Sequence, residues 1–238
     1  MNERPTFVLD GAEVPFEPGQ SLLQAALAAG HYIPHLCYHP DFEPHGSCKL
    51  CTATTAGHTV TSCTCRAQAG MEVQSNTEEL GALRRTLVQM LFAEGNHFCP
   101  SCEKSGNCRL QASGYDLGVM TAGFRHLFPD RPVDASHPEL LLDFNRCILC
   151  GLCVQASRDV DGKHVFALGG RGILGRKIMV NSESGRLGDT NFTADDRAAS
   201  ICPVGVILKK RVGFAVPIGS RTYDKAPISQ VDVEGKHS

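Results

Sequence analysis

The twelve cysteines fall into three groups along the chain, at positions 37, 48, 51, 63 and 65, then 99, 102 and 108, then 147, 150, 153 and 202. In the first group, Cys37, Cys48, Cys51 and Cys63 supply one close pair and two distant partners, the arrangement typical of a [2Fe–2S] centre. Four thiolates with one Cys-x2-Cys also suit tetrahedral zinc, although structural zinc sites more often use two close pairs. Cys65 is left over and reads as a buried small hydrophobe. The second group holds three cysteines, and a cubane needs four ligands. The nearest further donor is His97, ahead of Cys99, Cys102 and Cys108, with His126 and His137 as distant rivals. An imidazole in place of a thiolate removes a negative charge and raises the reduction potential, as in Rieske centres. In the other reading His97 is an exposed loop residue and the fourth ligand lies elsewhere. Cys147-x2-Cys150-x2-Cys153 is the most specific pattern, three thiolates wrapping one corner of a [4Fe–4S] cluster, with Cys202-Pro203 closing it. A two-cluster ferredoxin would have its next cysteine at 157, where this chain has Ser157, so the third module holds a single cluster.

These ligands need elements to position them. Residues 6–10 and 13–16 alternate as short strands around Gly11, a hairpin. Ser21 caps a helix over 22–29, and Gly30 stops it. Residues 52–55 and 59–62 read as two more strands split by Gly57, giving a small mixed sheet over one helix. The intervening loop, 31–49, is rich in Pro, His and Gly, a composition that lets backbone amides crowd round a bound group. Ser75-Asn-Thr-Glu78 has capping-box form. Leu80, Leu83, Leu87, Met90 and Leu91 then form an apolar stripe, with Arg84, Arg85 and Gln89 on the opposite face and Gly95 at the end. This second helix docks one module on the next. A third module opens near Leu140, with strand-like runs at 164–168 and 177–180. The last two dozen residues read as weakly structured or partner-dependent.

Composition narrows the function classes. The 23 Lys and Arg balance 25 Asp and Glu, a net charge of -2, which argues against a duplex nucleic-acid binder. The longest apolar stretches, 21–29 and 87–92, are too short to span a bilayer. Met1-Asn-Glu-Arg-Pro has no apolar signal core, so the cysteines point to metal in a reducing, cytoplasmic compartment. Gly170-Arg-Gly172-Ile-Leu-Gly175 matches the dinucleotide fingerprint, but a strand-like run follows where a helix is required, so it reads as a glycine-rich hairpin. The basic run 209–211 is either a solvated edge or a partner contact. No paired carboxylates or nucleophile elbow stand out. The expected function is to pass single electrons.

At Cys37-Tyr-His-Pro-Asp, Gly46-Ser-Cys-Lys-Leu-Cys51, Gly70-Met-Glu-Val, the run 99–111 and the run 147–153, the chain resembles a known family. It is the iron–sulfur portion shared by the large complex I iron–sulfur subunit, iron-only hydrogenases and the small diaphorase subunits of NAD-reducing nickel–iron hydrogenases. The resemblance covers nearly the whole chain, and its length favours the diaphorase subunits, since the other two groups continue into large further domains. It implies an α+β chain of three domains: a β-grasp [2Fe–2S] ferredoxin domain (1–77), a helical [4Fe–4S] segment with one His and three Cys ligands (78–118) and a [4Fe–4S] ferredoxin-like domain with a C-terminal tail (119–238). The implied ligands are Cys37, Cys48, Cys51 and Cys63 for the [2Fe–2S] cluster. They are His97, Cys99, Cys102 and Cys108 for one [4Fe–4S] cluster, and Cys147, Cys150, Cys153 and Cys202 for the other. Cys63 is preferred to Cys65 because relatives place this cysteine seven residues before the glycine matching Gly70. Relatives usually have His-x3-Cys, whereas this chain has His97-x-Cys99. The implied setting is a cytoplasmic complex in which FMN and NAD sit on a diaphorase partner and a nickel–iron centre on the hydrogenase large and small subunits. This chain would carry electrons between them, with no catalytic residue, nucleic acid or membrane involved. An NAD-dependent formate dehydrogenase or bifurcating hydrogenase is a neighbouring possibility, and a zinc-stapled interaction module is an alternative of another class.

Overall fold

The computed structural model describes residues 4–170 and 175–235. Strands β1 (Thr6–Leu9) and β2 (Ala12–Pro15) form the expected hairpin. Its turn residues Asp10 and Gly11 both have positive φ, the conformation that matches the natural strand twist. Helix α1 (Leu22–Ala28) starts at Ser21, whose hydroxyl accepts from Gln24 N while Gln24 returns a bond to Ser21 N, a reciprocal cap. Strands β3 (Thr52–Thr55) and β4 (His58–Thr61) pair around Ala56-Gly57, again with positive φ at both positions. A short strand that the alternation pattern does not reveal, β5 (Glu72–Gln74), inserts between β1 and β3. The sheet order is β2-β1-β5-β3-β4, parallel only at β1–β5. Its inner face, with Phe7, Leu9, Val14, Ala53 and Val73, closes on Leu22, Leu23, Ala25 and Ala26 of α1.

Helix α2 (Glu78–Glu94) is capped by Thr77, whose hydroxyl accepts from Leu80 N. Ser75 is not the cap; its backbone N–H goes to the Asp10 carboxylate, which leaves none for Glu78 to close the expected capping box. The expected orientation of α2 also changes. Arg84 is buried against the first module and donates to the carbonyls of Leu50, Thr52 and Ser75, whereas Leu83 and Met90 are exposed. Three backbone acceptors make the burial of a guanidinium tolerable and seat the helix on the sheet domain. Gly95 ends α2 as expected.

Helix α3 (Arg109–Asp116) follows, then β6 (Val133–Asp134) and β7 (Leu140–Asp143), which form a three-stranded sheet with β10 (Ile207–Lys209) in the order β10-β7-β6. Between β7 and β10 lie α4 (Leu152–Asp159), the antiparallel hairpin β8 (Phe166–Gly169) and β9 (Lys177–Val180), and α5 (Arg197–Ser200). The strand after the glycine run removes the helix that a dinucleotide site requires. Residues 171–174 of that run lie outside the described residues. Lys210 of the basic run donates to the carbonyls of Ala135 and His137.

The tail is more ordered than its composition suggests. Helix α6 (Ile228–Val233) buries Ile228, Val231 and Asp232 against α1 and α3. Asp232 takes both guanidinium nitrogens of Arg109, at 2.7 and 2.6 Å, and Arg109 also reaches His35 Nε2 at 3.1 Å. One large core, containing Leu36, Leu50, Cys108, Leu140, Cys150 and Cys202, runs through the loop of the first module, α3 and the third module.

Candidate metal centres

All twelve cysteines lie among the described residues, and all are thiols outside disulfides. The structure gathers eleven of them, with His97, into three groups matching the three sequence modules.

In the first group, Lys49 takes a left-handed φ of 60°. That conformation is uncommon for a residue with a side chain and curls the tight turn between Cys48 and Cys51. Cys37, Cys51 and Cys63 are buried and Cys48 is half-buried. The four sulfurs divide into interacting pairs, Cys37 with Cys48 and Cys51 with Cys63. Cys48 N also donates to Cys37 Sγ at 3.5 Å. The bond from Cys48 lowers the Cys37 thiol to about 5, and the bond from Cys63 lowers Cys51 to about 7. Each donor partner is pushed upward, first by giving its proton to the bond and then by burial. The four thiols thus stand as two close pairs, an arrangement that four cysteines can offer to a metal core. Ser62 Oγ donates to Cys51 O at 2.7 Å and fixes this corner. Cys65 stands apart. It is half-buried at the edge of the sheet core, where a fully buried position was expected, and its thiol faces Arg66 O.

In the second group, His97, Cys99, Cys102 and Cys108 line one small cavity with Phe92, Arg146 and Gly205. Cys99 opens a 3-10 turn (Cys99–Ser101), and Cys108 is the N-cap of α3. Burial pushes the Cys108 thiol up to about 12. His97 is held neutral, its pKa lowered to about 4 by burial and then by the charges of Arg146 and Arg131. Its Nε2 is buried with no hydrogen-bond partner, an orphaned ring nitrogen of the kind a metal would satisfy. The rival histidines are otherwise engaged. His126 donates to Gly95 O at 2.9 Å and accepts from Phe128 N at 3.0 Å. His137 donates to Phe192 O at 3.0 Å and accepts from Glu139 N and Leu140 N.

In the third group, Cys147, Cys150, Cys153 and Cys202 line a small cavity walled by apolar side chains, among them Leu142, Phe144, Phe166 and Val204. Leu149 repeats the left-handed turn of Lys49, with φ 55°, and its N–H donates to Cys147 Sγ at 3.4 Å. Gly151 has φ 74° and starts α4. The His45 ring from the first module lies beside it, where a Cβ would make ordinary contact at 3.5 Å. Burial pushes the Cys147 thiol up to about 11 and raises Cys150 and Cys153 well above the ordinary range. Thiols this costly to ionise alone become thiolates when a metal core replaces their protons. Among the described residues no three donors converge as they would on a single metal ion.

Two contributors escape the sequence pattern. Gly205 lies against the second group, where a Cβ would sit 3.2 Å from both Cys102 Sγ and Arg146 Nη1. Arg146 donates to Cys102 Sγ at 3.5 Å. Residue type could have flagged the glycine of Cys202-Pro-Val-Gly205, but no spacing rule ties Arg146 to a cysteine 44 residues earlier.

Comparison with known proteins agrees with this division. Residues 3–78 match a 2Fe-2S iron-sulfur cluster binding domain, residues 84–122 the NADH-ubiquinone oxidoreductase-G iron-sulfur binding region, and residues 140–208 a 4Fe-4S single cluster domain. The chain is 32% identical over 210 residues to the mitochondrial NADH-ubiquinone oxidoreductase 78 kDa subunit of Candida albicans, covering 87% of this chain but only 28% of that subunit. It is 40% identical over 229 residues to the NAD-reducing hydrogenase HoxS subunit gamma of Cupriavidus necator, covering 96% of this chain and 97% of that protein. A chain in the crystal structure of an NAD+-reducing [NiFe]-hydrogenase in the H2-reduced state superposes with a TM-score of 0.94 at 52% identity, over 98% of this chain and 99% of its own. With mixed α and β elements, iron–sulfur domains of both the 2Fe-2S and 4Fe-4S kinds, and near end-to-end likeness to these two hydrogenase chains, the protein belongs to the gamma-subunit family of NAD-reducing hydrogenases.

Proposed function

We propose that this chain is the electron-transfer iron–sulfur subunit of a cytoplasmic NAD-reducing nickel–iron hydrogenase. It relays electrons between the nickel–iron hydrogenase subunits and a flavin- and NAD-binding diaphorase subunit. The observation that carries this reading is the conjunction of three cysteine groups in one continuous fold, two of them lining cavities, with likeness to hydrogenase chains over nearly their full length. That likeness favours a hydrogenase over a formate dehydrogenase as the host complex.

Cys37, Cys48, Cys51 and Cys63 would hold a [2Fe–2S] cluster in a β-grasp domain over residues 1–77. His97, Cys99, Cys102 and Cys108 would hold a [4Fe–4S] cluster in residues 78–118, and Cys147, Cys150, Cys153 and Cys202 a second one in residues 119–238. When bound, such clusters take up and give back one electron each. The protein's part is to hold them at fixed separation, keep water away and set their potentials through hydrogen bonds and burial. The apolar wall around Cys150 and Cys202 excludes solvent from the third site, and the neutral imidazole of His97 is ready to ligate. FMN, NAD and the nickel–iron centre belong to the partner subunits. Exposed Phe98, Tyr115, Met120, Leu127 and Phe128 give the stretch 98–128 the apolar surface of a subunit built into an assembly. Among the described residues no helix is long and apolar enough to cross a membrane.

Iron and acid-labile sulfide analysis of the anaerobically purified complex, with its subunits identified, tests the reading. The expected content is about ten irons attributable to this chain, from one binuclear and two tetranuclear clusters. Stoichiometric zinc in colourless protein would overturn it.

A further inference from the structure

Arg146 ends a 3-10 turn (Phe144–Arg146) directly before Cys147, a proposed ligand of the third site, yet its side chain turns to the second. Nη1 donates to Cys102 Sγ at 3.5 Å, to Gly205 O at 3.4 Å and to Glu103 Oε2 at 2.8 Å, while Nε meets Asp143 Oδ2 at 2.8 Å. The side chain is only 18% exposed. Gly205 makes this placement possible, because a Cβ there would press on both the guanidinium and the Cys102 sulfur. Arg146 is thus a cation held between the two proposed tetranuclear sites, with one N–H on a ligand sulfur. Two carboxylates fix its position from the side.

From this placement we infer that Arg146 is a potential-setting residue for the middle [4Fe–4S] cluster, acting through Cys102. Reduction adds one negative charge to a cluster already ligated by thiolates. A fixed positive charge and an N–H···S bond both favour the reduced form, so they raise the potential. Glu103, paired with the same nitrogen, moderates that effect. The two residues therefore act with opposite sign, which a purely structural role would not produce. The inference rests on the ligand assignment proposed above for the middle site.

The test is a redox titration, followed by EPR, of the assembled complex carrying R146Q, R146K or E103Q, with iron content measured in parallel. In R146Q the middle cluster is expected to titrate to a lower potential, by about tenfold in its reduced-to-oxidised ratio, or about 59 mV for one electron. The [2Fe–2S] signal should not move. R146K should recover part of the shift, because the charge returns without the guanidinium fork. E103Q should move the midpoint upward. An unchanged midpoint in R146Q at full iron content overturns the inference, as does a downward shift in E103Q. Should R146Q lose the four irons of the cluster, E103Q decides alone, since it removes no donor to sulfur. If the wild-type complex itself lacked the middle-cluster signal and its iron, the ligand assignment would fail instead, and the two failures are told apart by that control.

Discussion

His97 brings an imidazole to a ligand set otherwise made of thiols, and the protein prepares it for that use by burial. Its ring is kept neutral far below ordinary histidine pKa values, and Nε2 is left without a protein partner. A buried ring nitrogen without a partner costs about 1–3 kcal/mol, a cost the fold would carry for the sake of a ligand. His97→Ala is expected to abolish or alter only the middle-cluster EPR signal, leaving the other two intact. All three signals unchanged would remove His97 from the ligand set. At this scale the sequence was most informative, because thiols at three-residue steps have few uses and their spacing survives any detail of packing. It was least informative about Arg146 and Gly205, whose roles arise only when distant segments meet. Cys65 is set apart in the sequence by its surplus, and its half-buried position at the edge of the sheet core was not readable from residue type.

The elements show where local rules suffice and where tertiary partners override them. The hairpin turns and the Ser21 cap follow from side-chain chemistry within a few residues, and the structure forms them where that chemistry predicts. The start of α2 has two candidate caps two residues apart, and a group outside the helix engages one of them: the N–H of Ser75 goes to Asp10, and Thr77 caps. Thr77→Ala should then cost about 1 kcal/mol in thermal or denaturant stability, while Ser75→Ala should leave the helix cap untouched. Arg84 illustrates the same override more strongly. A helical wheel assigns any arginine to solvent, but the carbonyls of Leu50 and Thr52, beside the cysteine turn, and of Ser75 offer it three acceptors. Arg84→Ala is expected to lower stability by about 3 kcal/mol, because three buried carbonyls lose a charged donor. Loss of [2Fe–2S] absorbance should accompany the unfolding, since Leu50 sits between Cys48 and Cys51.

Across the whole molecule, the modules are joined by buried polar links as well as by a shared core. Arg109, next to Cys108, and His35, two residues before Cys37, meet Asp232 of α6, which ties the middle segment, the first module and the C-terminal helix at one buried point. Removing one partner of such a pair strands a charge, so Asp232→Ala should lower the melting temperature of the complex, with a loss of about 3–5 kcal/mol. The polar, Pro- and Gly-bearing tail gave no hint of this, because helix α6 is too short to show a period and is stabilised by what it lands on. The modules nevertheless keep separate donor sets. Cys150→Ala should therefore remove one tetranuclear cluster, taking iron from about ten to about six atoms per chain while the [2Fe–2S] spectrum persists. The third set closes in an unusual way, since 48 residues, including two strands and two helices' worth of packing, intervene between Cys153 and Cys202. An inorganic core gripping both ends would act as a clasp on that excursion and spare the chain a loop-closure entropy of about 4 kcal/mol, by analogy with a covalent cross-link of that span. Oxidative destruction of the core would then do more than interrupt conduction: it would unfasten the β8–β9 region and expose it to proteases, so damaged subunits would be marked for turnover by their own chemistry.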